Sequence, residues 1–221
     1  MHIVELHCHT IYSKDSLTTP QQMLDACQRK GIDRIAITDH NSIEGALRAE
    51  KLDPDRVIVG EEIYTTHGEL LAFFVNELVP GGLSPLETIT RLRDQDAFIS
   101  VSHPFDQHRG GHWEEKDLID ILPHIDAIET FNSRCTFPRY NTEAQYFAKS
   151  HQLLGTVGSD AHAVVELGRA TLTIPEFNDA ASFKENLKQA IQNCTLSPPW
   201  VHFYSRYAVW QKKVLGKGHY S

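Results

Sequence analysis

The sequence lacks the markers of a disulfide-stabilised or membrane-spanning protein. Its four cysteines are widely separated and form no C-x-x-C pair, which argues against both a disulfide framework and a structural zinc knuckle. No apolar run approaches the roughly 20 residues needed to cross a bilayer, and no basic segment followed by an apolar signal opens the chain. We therefore expect a cytoplasmic protein with reduced thiols and no membrane partner.

Common signatures of nucleotide binding and serine catalysis are also missing. The sequence contains no G-x-G-x-x-G, no G-x-x-x-x-G-K-[ST] and no G-x-S-x-G, so a dinucleotide site, a P-loop and a serine nucleophile elbow have no support. Acidic residues outnumber basic ones by 29 to 21, which gives a formal charge of −8. This balance argues against a protein whose main affinity is for nucleic acid phosphates.

What the sequence does contain is a series of short apolar strands that end in histidine or a carboxylate. The strand Ile3-Val4-Glu5-Leu6 runs into His7-Cys8-His9, and because strand side chains alternate, both histidines project to one face. Four later strands end in the same way, before Asp39-His40-Asn41, Glu61-Glu62, His103-Pro104 and Asp160-Ala161-His162. Functional residues of α/β folds gather beyond the carboxyl ends of strands, so we expect these side chains to converge on metal ions.

Helices alternate with these strands along the 221 residues. Caps, prolines and spacing predict helices that span residues 20–30, begin at 85, and span 138–150 and 178–193. We count seven inner strands, including Leu70 to Val75 and Ala127 to Thr130, and an additional edge strand from Thr171 to Ile174. The alternation favours a single-domain, parallel β/α barrel that is closed or nearly closed.

The segment from Trp200 to Ser221 differs from the rest. It holds four basic residues and no acidic one, so its charge of +4 contrasts with −12 for residues 1–199. Five of its aromatic residues follow helical spacing: Trp200, Phe203, Tyr204, Tyr207 and Trp210. We interpret the segment as an amphipathic closing helix or tail whose aromatic side chains pack on the barrel and whose basic residues face water. The alternative is a surface for nucleic acid or a partner protein.

The order of these motifs resembles that of the polymerase and histidinol phosphatase (PHP) family. The resemblance covers roughly residues 1–175 and rests on His7-Cys8-His9-Thr10, Tyr12-Ser13-Lys14-Asp15, Ile37-Thr38-Asp39-His40-Asn41, Gly60-Glu61-Glu62, His103-Pro104 and Gly158-Ser159-Asp160-Ala161-His162. It implies a distorted (β/α)7 barrel with two or three divalent metal ions at the mouth, in proteins that often hydrolyse phosphate esters. We expect this domain over residues 1–199.

The resemblance also implies a set of metal ligands. Matched position by position, they are His7, His9, Asp15, His40, Glu62, His103, Asp160 and His162. The strand-end pattern predicts seven of them independently, whereas Asp15 depends on the family, because a loop aspartate could equally cap a turn. Where many members have another histidine, this chain has Glu69, with His67 two residues earlier. A carboxylate there favours Mn²⁺, Fe²⁺ or Mg²⁺, with Zn²⁺ still open, and leaves the filling of a third site undecided.

The chemistry we expect is hydrolysis of a phosphate ester of a small metabolite or nucleotide. Two cations about 3.5 to 4 Å apart would hold a bridging hydroxide and align it for in-line attack on phosphorus. His103 or His162 could instead protonate the leaving oxygen if it is not a metal ligand. Arg109 and Arg134 lie on loops at the predicted mouth and could clamp phosphate, or could simply form salt bridges.

Several alternatives remain open at this stage. The same ligands would suit a nuclease that acts on oligonucleotide ends, whose affinity would fall steeply with salt. An amidohydrolase-like enzyme fits the motifs less well, and a non-catalytic metal-binding accessory module is a further reading. The sequence does not name the substrate, separate monoester from diester cleavage, or give the oligomeric state. Substrate choice is expected to depend on the loops at residues 106–115 and 133–141.

Overall fold

The computed structural model describes residues 1–215 as one α/β unit. In chain order its strands and α-helices are β1 (His2–Glu5), α1 (Pro20–Lys30), β2 (Arg34–Ile37), α2 (Glu44–Glu50), β3 (Val57–Tyr64), β4 (Glu69–Phe73), α3 (Pro85–Arg93), β5 (Phe98–Val101), α4 (Glu115–Ile121), β6 (Ala127–Asn132), α5 (Pro138–Ser150), β7 (Leu154–Gly158), β8 (Ala170–Ile174), α6 (Ala180–Leu187), β9 (Ile191–Cys194) and α7 (His202–Val214). No helix in this part of the chain is long and apolar enough to span a membrane.

The strands form one sheet that curls into a nearly closed barrel. Its order is β7-β6-β5-β4-β3-β2-β1-β8-β9. Beyond the strand ends, Cys8 bridges in parallel to Ala161, and His9 N donates to Ala161 O at 2.8 Å. These contacts bring the end of β7 against the end of β1. The predicted barrel, with seven inner strands matching β1 to β7, is therefore confirmed.

The sheet is less uniformly parallel than the alternation predicted. Strand β4 is antiparallel to both of its neighbours, β3 and β5, because only residues 65–68 connect β3 to β4, and a link this short makes a hairpin rather than a crossover. The other pairs from β1 to β7 are parallel. One consequence is that β4 brings its first residue, Glu69, to the mouth that the parallel strands reach with their carboxyl ends.

The end of the chain corrects two further expectations. The strand predicted at Thr171 to Ile174 is not an edge, since β8 lies between β1 and β9. The helix predicted over 178–193 ends at Leu187, and residues 191–194 form β9 instead. All four β9 positions are at least partly exposed, so no apolar alternation marks the strand. Pairing with β8, a tertiary contact, overrides the local helical spacing.

Several helix boundaries follow the predicted signals closely. The Thr19 side chain accepts from Gln22 N while the Gln22 side chain accepts from Thr19 N, which is a complete capping box. Gly31 ends α1 with φ of 66°, a left-handed conformation that glycine adopts without strain. Ser84 caps α3 through Glu87 N, and α5 spans Pro138–Ser150 as expected.

The closing helix α7 forms, but it is rotated relative to the prediction. Its buried residues are Ala208 and Lys212, whereas the five aromatic side chains are exposed, with Phe203 at 70% and Trp210 at 59%. The expectation that the aromatic residues pack on the barrel is therefore wrong. Lys212 takes the inner position because its ammonium group donates to backbone carbonyls of a barrel loop. The last basic residue of the predicted tail, Lys217, lies outside the described residues.

The barrel core is fullest at the end opposite the predicted ligands. Phe98 begins β5 while His103 follows it, so the two mark opposite ends of the barrel. The ring centroids of Phe73 and Phe98 lie 5.9 Å apart, and Phe183 of α6 packs edge-on against Phe98 at 4.9 Å. These three rings are almost fully buried. They fill one end of the barrel with apolar groups and leave polar groups to collect at the other.

Candidate metal centre

All nine residues predicted as metal ligands lie in one cluster at the barrel mouth. The strands β1, β2, β3, β5 and β7 deliver seven of them near their carboxyl ends, β4 delivers one at its amino end, and the loop after β1 delivers the last. In chain order they are His7, His9, Asp15, His40, Glu62, Glu69, His103, Asp160 and His162. All but Asp15 and His40 are almost fully buried.

The carboxylate of Glu62 is the centre of the cluster. Its Oε2 lies 3.3 Å from His7 Nε2, 3.3 Å from His9 Nε2 and 3.0 Å from His40 Nδ1. Its Oε1 lies 3.2 Å from His103 Nε2. One carboxylate thus faces four imidazoles delivered by three different strands.

A second part of the cluster surrounds His162. Its Nε2 lies 3.1 Å from Asp15 Oδ2, and its Nδ1 lies 3.4 Å from Asp160 Oδ1. Asp15 Oδ2 also lies 3.5 Å from His40 Nε2, and Asp160 Oδ1 lies 3.2 Å from His9 Nε2. Asp15, which only the family resemblance predicted, is therefore in contact with two of the histidines that the strand pattern predicted.

Of Glu69 and His67, only Glu69 lies in the cluster. Glu69 is 3% exposed, and its carboxylate oxygens lie 3.2 Å from His103 Nε2 and 3.7 Å from His40 Nδ1. His67 is exposed and pairs with Thr66 Oγ1 at 2.9 Å. The carboxylate therefore occupies the position that many family members give to histidine.

The cluster contains strongly perturbed acids and bases. Burial opposes ionisation of Glu62, yet His7 and His40 outweigh it and hold the pKa of Glu62 well below its usual range. Burial likewise disfavours the charged form of His7, but Glu62, Asp160 and Glu129 raise the pKa of His7 well above normal. For His9, burial together with His162 and His40 lowers the pKa to about 3, so its imidazole is neutral and can offer a lone pair.

Whether this cluster fits metal ions can be judged from its buried polar atoms that have no hydrogen bond. Six of its side chains carry such an atom: Asp15 Oδ1, His40 Nδ1, Glu62 Oε2, Glu69 Oε1, His103 Nδ1 and Asp160 Oδ1. An unsatisfied buried polar group costs about 1–3 kcal/mol, and a cation bound to its lone pair would remove that cost. Three triads have ligand atoms within 4.8 Å of one another: His9-His40-His162, His7-His9-Glu62 and His40-Glu62-Glu69. Mixed imidazole and carboxylate donors fit divalent transition metals.

Three of the six described residues other than glycine that have positive φ lie at the same strand ends. His103 and Asp160 have φ of 21° and 52°, and Asn41, beside His40, has φ of 48°. Residues other than glycine rarely adopt these values, at a cost of order 1–3 kcal/mol each, and they cluster at functional sites. Hydrogen bonds maintain the conformation, since His103 N donates to Glu129 Oε2 at 2.9 Å.

Glu129 is a functional residue that the sequence reasoning missed. It is 1% exposed on β6, and its Oε1 accepts from His7 Nδ1 at 2.9 Å. A carboxylate in this position fixes the tautomer of the ring and leaves Nε2 to bind a metal. The available signal was a single acid inside the apolar strand Ala127 to Thr130, a residue that is rarely buried without a partner.

Asp39 and Ser13 form another supporting contact. Ser13 Oγ donates to Asp39 Oδ1 at 2.6 Å and lies 3.1 Å from His9 Nδ1. Asp39 therefore acts on His9 through Ser13 rather than by direct contact. Glu61, the other acid adjacent to a predicted ligand, lies apart and accepts from Val79 N at 3.1 Å.

The two arginines predicted to meet phosphate occupy different environments. Arg109 pairs with Asp160 and, at 3.5 Å, with Asp106, and its side chain is 21% exposed. Arg134 is almost fully buried and pairs with Glu166 at 3.1 Å, besides contacting His162. Neither is the surface salt bridge that was the alternative reading. Only Arg109 combines proximity to the cluster with access to solvent.

The fold and the site place the chain in the class of β/α barrels that gather imidazoles and carboxylates, the ligands of divalent metal ions, at the ends of their strands. Within that class, the chain belongs to the PHP domain family. The sequence profile of the PHP domain matches residues 5–158, and that of the PHP-associated region matches residues 138–190.

Three proteins illustrate the similarity. An uncharacterized protein of Methanocaldococcus jannaschii is 35% identical over 178 residues, which are 79% of this chain and 71% of the relative. A two-domain protein of Bacteroides vulgatus, described as containing a predicted PHP-like metal-dependent phosphoesterase, aligns with a TM-score of 0.72 and 18% identity over 88% of this chain and 65% of that one. The lesion-specific endonuclease of Pyrococcus furiosus aligns with a TM-score of 0.63 and 17% identity, covering 85% and 56%. At these identities, the two solved structures show the fold alone.

Proposed function

We propose that this chain is a metal-dependent phosphoesterase that hydrolyses a phosphate ester of a small metabolite or nucleotide. The observation that supports the proposal is the convergence of nine histidines and carboxylates, six of which carry a buried atom without a hydrogen-bond partner. Divalent metal ions bound there would supply a Lewis acid and lower the pKa of a water molecule. His7, His9, His40 and Glu62 would hold them at the centre, with Asp15, Glu69, His103, Asp160 and His162 at the periphery.

Hydrogen bonds within the chain hold the His7 and His9 rings in position without a bound metal ion. Glu129 holds the His7 ring through Nδ1, and Ser13 holds the His9 ring through Nδ1, so both rings present Nε2 to the cluster. Fixing the rings in advance reduces the reorganisation that binding would otherwise require. Glu62 uses both oxygens, since Oε2 faces His7, His9 and His40 while Oε1 faces His103.

We propose that Arg109 contacts the substrate phosphate, while Arg134 positions His162. The Arg109 guanidinium is at the rim beside Asp160, where a planar fork of N–H donors suits a phosphate group. All three nitrogens of Arg134 already face protein groups, including Ser205 Oγ at 2.8 Å. If His162 is not a metal ligand, its position beside Asp15 and Asp160 also suits proton donation to the leaving oxygen, with His103 as the other candidate.

The rim of the mouth supports a small substrate. The loops predicted to choose the substrate are joined, since Asp106 Oδ2 accepts from Thr136 N at 3.0 Å, and Arg109 N donates to Asp106 O at 2.9 Å. Trp113 Nε1 in the same loop donates to Glu69 O at 3.0 Å. Loops tied to each other and to β4 would present a fixed rim to such a substrate.

The test is hydrolysis of a panel of sugar phosphates, nucleoside phosphates and short oligonucleotides, followed as free phosphate from the monoesters and as released nucleotides from the oligonucleotides. Metal-stripped protein would be resupplied separately with Mn²⁺, Fe²⁺, Zn²⁺ and Mg²⁺. We expect release that requires metal, disappears in the His7→Ala, His9→Ala double variant and persists in His67→Ala, because His67 is an exposed histidine outside the cluster.

Two outcomes would replace this proposal. Activity confined to oligonucleotide ends and falling steeply with salt would identify a nuclease instead. Bound metal with no release from any phosphate ester would indicate a different hydrolase or a non-catalytic accessory module.

A further inference from the structure

The outward face of α7 is an apolar surface with no partner among the described residues. Its members recur at alternating intervals of three and four residues, and we call them the α7 seam: Trp200, Phe203, Tyr207, Trp210 and Val214. They are between 46% and 70% exposed. Alternating spacings of three and four place side chains along one stripe of a helix, the pattern that packs against another protein element.

The seam reaches the size of the largest apolar patch on a typical soluble monomer, about 300–600 Å². An aromatic side chain contributes about 150–250 Å² when fully buried, so four half-exposed rings present on the order of 400 Å² before Val214 and the neighbouring Leu215 are added. Patches larger than a few hundred Å² generally mark interaction sites. The rings also contact each other, with Tyr207 and Trp210 centroids 5.8 Å apart, so the surface is preformed.

The opposite face of α7 is fixed to its own barrel. Lys212 Nζ donates to Ile11 O at 2.6 Å, and Arg134 donates to Ser205 Oγ at 2.8 Å. Ala208 is buried on the same side. Because these contacts hold the helix from the barrel side, the seam cannot turn inward to cover itself. Its occupant must come from outside the described fold.

The charges beside the α7 seam indicate what kind of surface can bind it. Arg206 and Lys213 flank the seam and are exposed, and the sequence has no acidic residue from 200 to 221. Two α7 helices packed against each other would bring these like charges together, which is unfavourable. The seam therefore requires an apolar surface with an acidic rim.

Such a surface exists on the same chain, between α5 and the loop that precedes α4. This groove has a volume of about 960 Å³, and Phe105, Phe147 and Tyr146 contribute aromatic lining. Three exposed carboxylates, on Glu114, Glu115 and Glu143, also line it. Tyr146 is 75% exposed. The groove thus combines aromatic lining, which suits the aromatic residues of the seam, with an acidic rim, which suits the basic residues that flank the seam.

We propose that the α7 seam of one copy docks in this acidic groove of a second copy. When the seam of each copy docks in the groove of the other, the two copies form a closed two-fold dimer. No seam or groove then remains free to bind a third copy. The basic flanks of the seam, Arg206 and Lys213, then face the carboxylates of Glu114, Glu115 and Glu143 at close range, and this local pairing favours the contact although each copy carries a formal charge of −8.

The test is sedimentation of the full-length chain and two charge-reversal variants across a concentration series. One variant changes the seam flank, Arg206→Glu with Lys213→Glu, and the other changes the groove, Glu114→Lys with Glu143→Lys. We expect wild type to dimerise, and each variant alone to show a dissociation constant raised about tenfold or more, because its like charges face each other. An equimolar mixture of the two variants should form a heterodimer, since both of its contacts pair opposite charges.

The mixture also controls for folding, because a heterodimer requires both variants to be folded. A groove variant that still dimerises alone would overturn the proposal in favour of direct packing between α7 helices. Wild type that stays monomeric at every concentration would overturn it as well. So would monomers whose seam instead binds single-stranded oligonucleotides or lipid vesicles.

Discussion

At the scale of single residues, Glu61 shows how a buried acid can influence stability without joining the metal cluster. It is 0% exposed, and burial raises its pKa to about 8 despite the hydrogen bond from Val79 N. Its Oε1 has no hydrogen-bond partner, which suits a protonated carboxyl group. The folded protein therefore retains a proton that the unfolded chain releases near its ordinary pKa of 4.5.

We predict that this proton makes metal-free protein less stable as the pH rises. The folded pKa lies above the unfolded one, so the contribution is fully present below about pH 4.5 and is lost progressively as the pH rises towards 8. The slope for one such group is at most about 1.4 kcal/mol per pH unit. Glu61→Gln, which resembles the protonated form, should lose this slope when unfolding is followed in denaturant with a chelator present. Glu77→Gln, an exposed change, should retain it, and an unchanged slope in Glu61→Gln would contradict the assignment.

Prediction of single residues from the sequence succeeded where histidines follow the ends of apolar strands. His7, His9, His40, His103 and His162 each lie within three residues of the end of an apolar strand, and separate strands bring them together. The sequence could not reveal Glu129, because nothing local shows that an acid in mid-strand faces His7 on a strand 122 positions away. It also could not show that the guanidinium of Arg134 is occupied by Glu166, His162 and Ser205.

At the scale of elements, α7 is connected to the loop that carries Asp15. Lys212 is 8% exposed, and its ammonium group donates to Ile11 O at 2.6 Å and to Ser13 O. The hydroxyl of Ser13 in turn contacts His9 and Asp39. A residue near the end of the chain thereby holds a loop that begins immediately after the first two predicted ligands.

We predict that Lys212→Met weakens metal binding while the fold is retained. Its loss leaves two carbonyls without their donor, at about 1–3 kcal/mol, and allows the loop with Asp15 to move. The metal ion that binds least tightly should lose about tenfold in affinity, which is in the range typical for residues that support metal ligands. Calorimetric titration of metal-stripped protein measures this affinity. Lys213→Met alters the exposed neighbour and should bind as wild type. Equal affinities in the two variants would show that Lys212 does not position the loop.

Elements with clear end signals were predictable, and elements defined by their neighbours were not. The capping box at Thr19 and the glycine at 31 mark both ends of α1. By contrast, β9 carries the mostly polar sequence Ile191–Cys194, and only its pairing with β8 makes it a strand. The rotation of α7 also escaped prediction, because an aromatic stripe at helical spacing indicates an interaction surface without saying whether its partner is the same barrel or another molecule.

At the scale of the whole molecule, Glu5 closes the barrel. Its buried carboxylate accepts from Leu6 N and His7 N on one side of the closure and from Ser159 N and Gly168 N on the other, at 2.9 to 3.2 Å. The Ser159 hydroxyl donates to it as well. One side chain therefore joins the end of β1 to the end of β7 and to the turn before β8.

We predict that Glu5→Ala destabilises the protein by at least about 3 kcal/mol, because several buried N–H groups lose their acceptor together. Glu5→Gln keeps one acceptor oxygen and should lose less. Denaturant unfolding of both variants in chelator measures the difference without contributions from metal binding. Equal stability of Glu5→Ala and wild type would mean that the bridge between Cys8 and Ala161 closes the barrel without help.

The metal cluster should dominate the thermal stability of the whole barrel. Without metal, four carboxylates and five imidazoles share a buried mouth, and several of their atoms lack hydrogen bonds. A cation that binds only the folded chain stabilises it by about 2.7 kcal/mol at a hundred times its dissociation constant. For a chain of this size that corresponds to an increase in Tm of roughly 5–10 °C. Calorimetric scans of stripped and resupplied protein should show this shift, and His7→Ala with His9→Ala should abolish it. If the double variant gained the same stability from the metal, the stabilising ion would have to bind elsewhere, and the cluster would not be the site through which metal and fold are linked.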